Sequence, residues 1–227
     1  MVAIKVHNSQ DIQKLAASER LAVVILAAGQ SSRLGHAKQL VMLNNQTLIE
    51  RQCKLATSVT SHVVCVLGAL IDDIAPLISS INAPQDIQLV ENKNWQHGMS
   101  SSIAAGIAAL PTHIEAAMIV LVDQWQLTRS DLNNLVSHWQ KNKNNIAIAS
   151  STQKQTNEGE YTNTKYLGPP VIFPAKYFNE LRSLTGESGA KPVIKKYFQS
   201  LSKVEISRAQ ADLDTPEQLK AMQQSLS

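Results

Sequence analysis

Two segments of this 227-residue chain are apolar almost without interruption. Residues 21–27 read LAVVILA, and residues 116–122 read AAMIVLV. Continuous apolar runs of this length are typical of strands in a parallel sheet that is covered on both faces. The pattern therefore predicts two buried strands near the centre of a sheet.

The rest of the chain alternates between helical and extended patterns. Helical periodicity predicts helices over residues 47–58, 71–81, 99–110, 132–140, 175–184 and 192–201, and a last helix that begins at Thr215-Pro216-Glu217. Short apolar runs predict further strands over residues 62–68, 87–90, 146–149, 171–173 and 203–206. Because this alternation indicates right-handed crossovers, we predict a three-layer, Rossmann-like α/β fold with a mostly parallel central sheet and helices on both faces.

Two segments fall outside the alternation. Residues 1–20 show no strong pattern, so we predict an N-terminal extension over 1–20 and a single domain over 21–227. Residues 150–165 are polar and long for an ordinary connection, which is typical of a lid or a mobile segment. We therefore expect a polar loop there, before the strand at 171–173.

Composition narrows the class of protein. Lys and Arg number 21 against 18 Asp and Glu, and the net charge of +3 is far from the basic stripe that binds a nucleic-acid backbone. No run of 18 apolar residues occurs, and the first 20 residues lack the apolar core of an export signal. Cys53 and Cys65 fit neither a disulfide framework nor a metal spacing. We therefore expect a cytoplasmic protein whose partners include neither a nucleic-acid polymer nor a membrane.

The loop after the first apolar run combines small residues with positive charge. Residues 27–29 (AAG) let the backbone approach a ligand closely, and Ser31 and Ser32 add hydroxyl and amide donors. Arg33 and Lys38 bring two cations to the same turn. This combination suits a polyphosphate. The alternative is a basic turn that binds no ligand.

Three carboxylates occupy positions next to predicted elements. Asp123 directly follows the second apolar run, at the sheet edge where folds of this kind bind ligands. An oxygen donor there suits Mg²⁺ that bridges phosphates, and a turn or helix-capping role is the alternative. Asp212 and Asp214 precede Thr215, Pro216 and Glu217, and this local pattern by itself predicts a capped helix start.

Four segments carry a resemblance to a known family. Residues 26–40, LAAGQSSRLGHAKQL, resemble the LAAGxSxRxGxxKxL signature of nucleotidyltransferases related to molybdenum cofactor cytidylyltransferase, the MobA-like NTP transferase family. Residues 91–107 (ENKNWQHGMSSSIAAGI), 168–191 (GPPVIFPAKYFNELRSLTGESGAK) and 212–219 (DLDTPEQL) agree in the same order. The resemblance covers about residues 21–222. It implies the nucleotidyltransferase version of the predicted α/β fold.

The resemblance also implies a reaction. In this family, a phosphate of the acceptor attacks the α-phosphorus of a nucleoside triphosphate, and pyrophosphate leaves. The Ala27-Ala28 doublet resembles the branch that uses CTP, since relatives that use GTP tend to carry glycines there. The expected acceptor is the terminal phosphate of molybdopterin, the expected metal is Mg²⁺, and a molybdoenzyme is an expected recipient of the product.

The family's site residues transfer to matching positions of this sequence. Arg33 and Lys38 would bind the triphosphate and stabilise the charge on leaving pyrophosphate, and Asp123 and Asp214 would hold the metal, with Arg33, Lys38 and Asp123 as the catalytic set. The expected nucleotide-binding residues are Leu26, Ala27, Ala28, Gly29, Ser31, Ser32, Gly98, Ser100 and Ser101. The expected acceptor-binding residues are Gly168, Pro169, Pro170, Gly189 and Lys191.

Two departures from the family pattern leave alternatives open. Trp125 stands where the Asp-Gln-Pro element of the family carries proline, and Glu187 stands where Asp is more common. Trp125 puts the shape of the loop after Asp123 in doubt, and such a loop could bind without turnover. The alternatives are therefore GTP as donor, another phosphorylated small molecule as acceptor, or a non-catalytic module that binds and delivers the cofactor.

Overall fold

The computed structural model describes residues 19–31, 34–81, 87–152 and 165–224. Its strands are β1 (Leu21–Leu26), β2 (Met42–Leu43), β3 (Gln46–Thr47), β4 (His62–Leu67), β5 (Ile87–Glu91), β6 (Ala116–Leu121), β7 (Ala147–Thr152), β8 (Lys165–Pro174) and β9 (Ser202–Glu205). Its α-helices are α1 (Leu48–Thr57), α2 (Ile71–Ser79), α3 (Met99–Ala108), α4 (Arg129–Lys141), α5 (Phe178–Arg182), α6 (Lys191–Lys196) and α7 (Pro216–Gln224). Residues 1–18 of the predicted N-terminal extension lie outside the described residues.

A seven-stranded sheet with the order β5-β4-β1-β6-β8-β7-β9 forms the middle layer. Neighbouring strands run parallel except β8, which is antiparallel to both β6 and β7. The two apolar runs form the adjacent strands β1 and β6, and Leu26 pairs with Leu121 at their carboxyl ends. The predicted mostly parallel α/β sheet is confirmed.

Alternate residues of β1 face two separate hydrophobic cores. Leu21, Val23 and Ile25 join a core that includes buried residues of α1, α2, α4 and α7. Ala22 and Val24 join a second core with buried residues of α3, α5 and α6. Each face of the sheet is therefore covered by helices, which gives the three predicted layers.

The largest difference from the predicted elements lies in β7 and β8. The prediction ended one strand at 149 and began the next at 171, whereas the structure extends strand pairing over Ser150–Thr152 and from Lys165 onward. Gly168, Pro169 and Pro170, which precede the predicted strand 171–173, lie within β8 itself, and the register shifts between Ile148 and Ala149. A strand tolerates proline at such an irregularity, because the ladder there lacks regular amide donors.

Smaller differences concern the ends of elements. Residues 42–47, between the predicted loop and α1, form the two-stranded antiparallel ribbon β2–β3. The helix predicted over 192–201 is shorter, because α6 ends at Lys196 and a 3₁₀ turn follows over Phe198–Ser200. Thr47 and Glu50 cap α1 reciprocally and fix its start. No helix in the described ranges combines the length and apolar character that crossing a bilayer requires.

Candidate active site

A cavity of about 420 Å³ opens at the carboxyl edge of the sheet. The ends of β1 and β6 form its floor, and the Val122 amide donates to the Leu26 carbonyl oxygen at 3.3 Å. Its walls come from the loops after these strands and from the start of α3. The residues that line it are Leu26, Ala27, Ala28, Gly29, Gln30, Lys38, Gln39, Trp95, Gln96, Gly98, Met99, Ser102, Leu121, Val122, Asp123 and Glu187.

Lys38 joins two carboxylates from distant parts of the chain at one side of this cavity. Its Nζ donates to Asp123 Oδ2 and, at 2.8 Å, to Asp214 Oδ1. The Asp123 side chain is 6% exposed and the Asp214 side chain 42%. Two carboxylates against one ammonium leave an excess of one negative charge. The structure therefore brings together three residues that were predicted to share a site.

Burial and the ion pairs act in opposite directions on these groups. Desolvation lowers the pKa of Lys38, but Asp123 and Asp214 outweigh it, so the pKa lies above its ordinary value of 10.5. Desolvation raises the pKa of the Asp123 carboxyl above its ordinary value of 3.8, and the Lys38 ammonium opposes that rise. Lys38 therefore stays protonated at neutral pH.

One oxygen of this cluster has no hydrogen-bond partner. Asp123 Oδ1 is buried and unpaired, which is costly for a carboxylate unless something binds it. In the described ranges, no group of three or more His, Cys, Asp or Glu forms a complete metal cage. Mg²⁺ commonly takes only one or two carboxylates and completes its shell with water and substrate phosphates. The donor set of Asp123 and Asp214 therefore fits such an ion.

Asp212 and Asp214 have different surroundings. Gln218 accepts from the backbone amides of Asp214 and Thr215 at 2.7 and 2.9 Å and donates to Asp212 Oδ1 at 3.0 Å. The Thr215 hydroxyl accepts from the Gln218 amide at 3.3 Å and caps α7. Asp212 thus belongs to the helix start, while the Asp214 side chain points to Lys38.

Gln39 holds the loop that follows β1. This side chain is only 1% exposed, and its amide donates to the carbonyl oxygens of Ala27 at 2.8 Å and Gly29 at 2.7 Å. The Ser31 hydroxyl accepts from the Lys38 backbone amide at 3.1 Å. The loop and Lys38 are therefore fixed by a buried glutamine that the sequence analysis missed, although its position between Lys38 and Leu40 of the signature was visible.

At the opposite side of the cavity, the start of α3 presents small residues. Gly98 has φ 92°, and a Cβ atom there would lie 2.7 Å from the Gly186 carbonyl oxygen. Ser100 is fully buried and donates to the Gly189 carbonyl oxygen at 3.4 Å, and Ser101 donates to the Gly98 carbonyl oxygen at 2.8 Å. Gly98 and Ser102 line the cavity, whereas the hydroxyls of Ser100 and Ser101 are used within the protein.

Asn92 organises that helix start. Its side-chain amide donates to the hydroxyls of Ser101 at 2.8 Å and Ser102 at 3.0 Å, and its carbonyl oxygen accepts from the Asn94 amide at 3.0 Å. Asn92 is 4% exposed. A buried asparagine is stable only with its hydrogen bonds made, which gives this residue a positioning role.

The residues predicted to bind the acceptor are divided between two segments. The Pro169 carbonyl oxygen accepts from Gln124 and from the Tyr166 hydroxyl, each at 2.6 Å, so this backbone position supports the loop after β6. Gly168 and Pro170 are buried in the same strand. Gly189 lies against Met99, and Lys191 is exposed at the first residue of α6. Within the 186–191 segment, Glu187 lines the cavity.

The remaining predicted residues fall into two groups. Leu26, Ala27, Ala28 and Gly29 line the cavity. Ser32 and Arg33 lie outside the described residues. Trp125, the departure from the family pattern, is half-buried against the first core, and Arg51 donates to its carbonyl oxygen at 3.0 Å. The loop after Asp123 is thus held in place with Trp125 present.

A comparison with protein families decides the affiliation. The MobA-like NTP transferase domain matches residues 23–203, which is most of the chain. The chain belongs to this family. MobA-like NTP transferase domains are nucleotidyltransferases, and the predicted family is confirmed.

Two relatives carry names from other areas of metabolism. Nicotine blue oxidoreductase of Paenarthrobacter nicotinovorans is 37% identical over 120 residues, which is 51% of this chain and 55% of that protein. The match thus spans little more than half of that relative's length. Purine catabolism protein PucB of Bacillus subtilis is 26% identical over 216 residues, covering 90% of this chain and 96% of that protein. Neither name identifies a cytidylyltransferase, so the donor and acceptor are not given by these matches.

Solved structures support the fold of this MobA-like domain. The Rv0371c homologue from Mycobacterium sp. strain JC1 superposes with a TM-score of 0.73 at 23% identity, covering 91% of this chain and 96% of that one. Rv0371c of Mycobacterium tuberculosis H37Rv, solved in complex with manganese, gives a TM-score of 0.68 at 18% identity, covering 91% and 99%. At these identities the likeness extends to the fold alone.

Proposed function

We propose that this MobA-like domain transfers CMP from CTP to the terminal phosphate of molybdopterin. An oxygen of the acceptor phosphate forms a bond to the α-phosphorus of CTP. The bond from that phosphorus to the bridging oxygen of the β-phosphate breaks, and pyrophosphate leaves with the electron pair. The reaction needs no covalent intermediate with the protein, so the work of the protein is to bind, orient and stabilise charge.

The observation that carries the proposal is the contact of Lys38 with both Asp123 and Asp214 at the edge of the cavity. A lysine and two acids of one surface could pair by chance, but here one carboxylate is buried with an unpaired oxygen. A solvated surface pair does not require that burial. The cluster therefore has the character of a charge-binding site.

The residues present would divide the work as follows. Asp123 and Asp214 would hold Mg²⁺, which when bound neutralises phosphate charge and orients the triphosphate. Lys38 would exchange its carboxylate contacts for phosphate oxygens, and Arg33 is proposed to assist it. Gln39 keeps the carbonyl oxygens of its loop turned toward itself.

The opposite side of the cavity is proposed to receive the nucleoside. Gly98 and Ser102, together with the half-buried Trp95, form a wall of that side, and the Glu187 carboxylate lies against Gly98. The Ala27-Ala28 doublet, which lines the cavity, favours CTP over GTP on the resemblance to the cytidylyl branch. The segment from Gly186 to Lys191 borders this wall through Glu187 and is proposed, with residues 168–170, for the acceptor.

Other members of the reaction class give the competing outcomes. GTP as donor or a different phosphorylated small molecule as acceptor would use the same Lys38 cluster. Because the relative PucB is named a purine catabolism protein, a purine-derived compound is one such acceptor. A non-catalytic module that delivers the cofactor to a molybdoenzyme would bind without turnover. A cytoplasmic location is part of the proposal for each of these outcomes.

One experiment separates these functions. The protein is incubated with Mg²⁺, molybdopterin and each of the four NTPs in turn, and released pyrophosphate is measured. We expect pyrophosphate release only when the NTP is CTP. Pyrophosphate release with GTP instead would identify GTP as the donor. Replacing molybdopterin by other phosphorylated small molecules tests the acceptor. Nucleotide binding without pyrophosphate from any combination would contradict the transferase and favour the delivery module.

A further inference from the structure

Gln124 connects three segments beneath the Lys38 cluster. The residue is 1% exposed, and every polar atom of its side chain has a partner. Its Nε2 donates to the carbonyl oxygens of Pro169 at 2.6 Å and Ala209 at 2.9 Å, and its Oε1 accepts from the Leu121 amide at 3.2 Å. One buried amide thus ties the end of β6 to β8 and to the 3₁₀ turn Ser207–Gln210.

Two of these segments, the end of β6 and the 3₁₀ turn, lead directly to the two carboxylates. Asp123 directly precedes Gln124, and the turn that contains Ala209 leads into Asp214. On its other side, this turn is held by β7, because the Ile206 amide donates to the Ser150 carbonyl oxygen at 2.9 Å. Gln124 therefore links the Asp214 segment to the loop that carries Asp123.

The carboxylates need such a link because their own contacts do not fix their separation. Like charges repel, and the two carboxylates lie close together because both contact the Lys38 ammonium. Lys38 bridges them in the structure, but its ammonium sits on a flexible chain that must move if it is to bind phosphate. A contact that does not involve Lys38 must therefore hold the Asp123 and Asp214 segments at a fixed separation.

We propose that Gln124 is a positioning residue that sets the spacing of Asp123 and Asp214 for a divalent cation. This inference rests on the proposed function. Some residues orient a metal ligand without binding the metal themselves. Removing such a residue typically lowers metal affinity or activity about 10- to 100-fold. Gln124 acts on the backbone of both ligand segments, so its loss is expected to weaken the metal site without removing any ligand.

The test compares Gln124→Met with Thr60→Val. Mn²⁺ binding in the absence of nucleotide is measured by electron paramagnetic resonance. Thr60 is a matched control, since its buried hydroxyl donates to the Leu21 carbonyl oxygen at 2.6 Å, at the start of β1 away from the site. We expect Gln124→Met to weaken Mn²⁺ binding about tenfold or more and to lower kcat more than it raises KM for the NTP. Thr60→Val is expected to lower Tm and leave Mn²⁺ affinity unchanged.

The outcomes separate this inference from the proposed function. Wild-type protein that binds Mn²⁺ and releases pyrophosphate, with Gln124→Met equal to it in both, would overturn the positioning role alone. Equal loss of Mn²⁺ affinity in both variants would also overturn it, because general destabilisation would explain the result. Wild-type protein that neither binds Mn²⁺ nor releases pyrophosphate would overturn the proposed function as well.

A second variant covers the case in which Gln124→Met does not fold. Gln124→Asn keeps an amide but is one methylene shorter, so it cannot reach the carbonyl oxygens of Pro169 and Ala209 together in the present geometry. We expect Gln124→Asn, like Gln124→Met, to bind Mn²⁺ more weakly than the wild-type protein. Unchanged affinity of a folded Gln124→Asn would contradict the positioning role.

Discussion

The two sides of the cavity are built by different means. On one side, Lys38, Asp123 and Asp214 meet through ionised side chains from three separated segments. On the other side, Gly98, Ser100 and the neighbouring residues of α3 meet the 186–189 segment through backbone contacts and short polar side chains. One side is therefore held by ion pairs, whereas the other is held by hydrogen bonds and close backbone packing. Substitutions on the charged side should therefore affect chemistry far more than substitutions on the α3 side.

The largest expected effect is that of Asp123→Ala. This change removes the buried carboxylate whose Oδ1 has no protein partner, and with it a ligand of the proposed metal. We expect pyrophosphate release to fall by on the order of 10³-fold or more at saturating Mg²⁺. Turnover close to that of the wild-type protein would remove Asp123 from the metal site.

Lys38→Ala is expected to have the next largest effect. The change removes the proposed triphosphate contact, so kcat/KM for the NTP should fall about 10²-fold. It also leaves the buried Asp123 without its counter-charge, which is expected to lower the free energy of unfolding by about 3 kcal/mol. Steady-state kinetics and urea unfolding measure the two effects, and an unchanged kcat/KM would exclude Lys38 from the triphosphate site.

Asp214→Asn is expected to be milder than Asp123→Ala. The Asp214 side chain is 42% exposed, so water can replace part of its role, and the amide retains one oxygen ligand. We expect a loss of turnover of about tenfold that is partly recovered at higher Mg²⁺ concentration. A Mg²⁺ titration tests this, and a loss that no Mg²⁺ concentration relieves would argue against a metal-ligand role.

Alkaline pH probes the charged side without substitution. The pKa of Lys38 is raised in the folded protein, so the stabilisation from its ion pairs is fully present below pH 10.5. That stabilisation is lost as the pH rises through the folded-state pKa. The difference in unfolding free energy between wild-type protein and Lys38→Met should therefore stay constant up to about pH 10.5 and narrow above that pH. A constant difference would show that the ion pairs contribute little.

The smallest expected effect is on the α3 side. Ser100→Ala removes a long hydrogen bond inside the protein, so kcat/KM should change less than about threefold, and the unfolding free energy should fall by about 1 kcal/mol. Kinetics and thermal unfolding measure both. A tenfold rise in KM for the NTP would instead place the Ser100 hydroxyl on the nucleotide and reverse the contrast between the two sides.

Periodicity predicted much of the fold and failed at particular elements. The runs at 21–27 and 116–122 are the central strands β1 and β6, because only strands covered on both faces need such continuous apolar residues. It failed for β7 and β8, where polar residues and Gly168-Pro169-Pro170 hide a long strand pair. Pairing between strands depends on the partner, which local patterns do not contain.

Some residues of the candidate site could likewise be predicted from the sequence, and others could not. Lys38, Asp123 and Asp214 were predicted as site residues because charged residues at strand ends and in family motifs are visible along the chain. Buried amides such as Gln39 and Gln124 were missed as site residues, because a glutamine in a sequence resembles a surface residue until its partners are known.

The sequence by itself thus determined the three-layer fold, the family and the charged residue types, since hydrophobic patterning and motif chemistry are properties of the chain. Only the tertiary structure decided that Lys38 lies between Asp123 and Asp214, that Ser100 faces inward, and that residues 168–170 belong to a strand. These facts depend on distances between residues far apart in sequence, and folding fixes such distances through packing and buried hydrogen bonds.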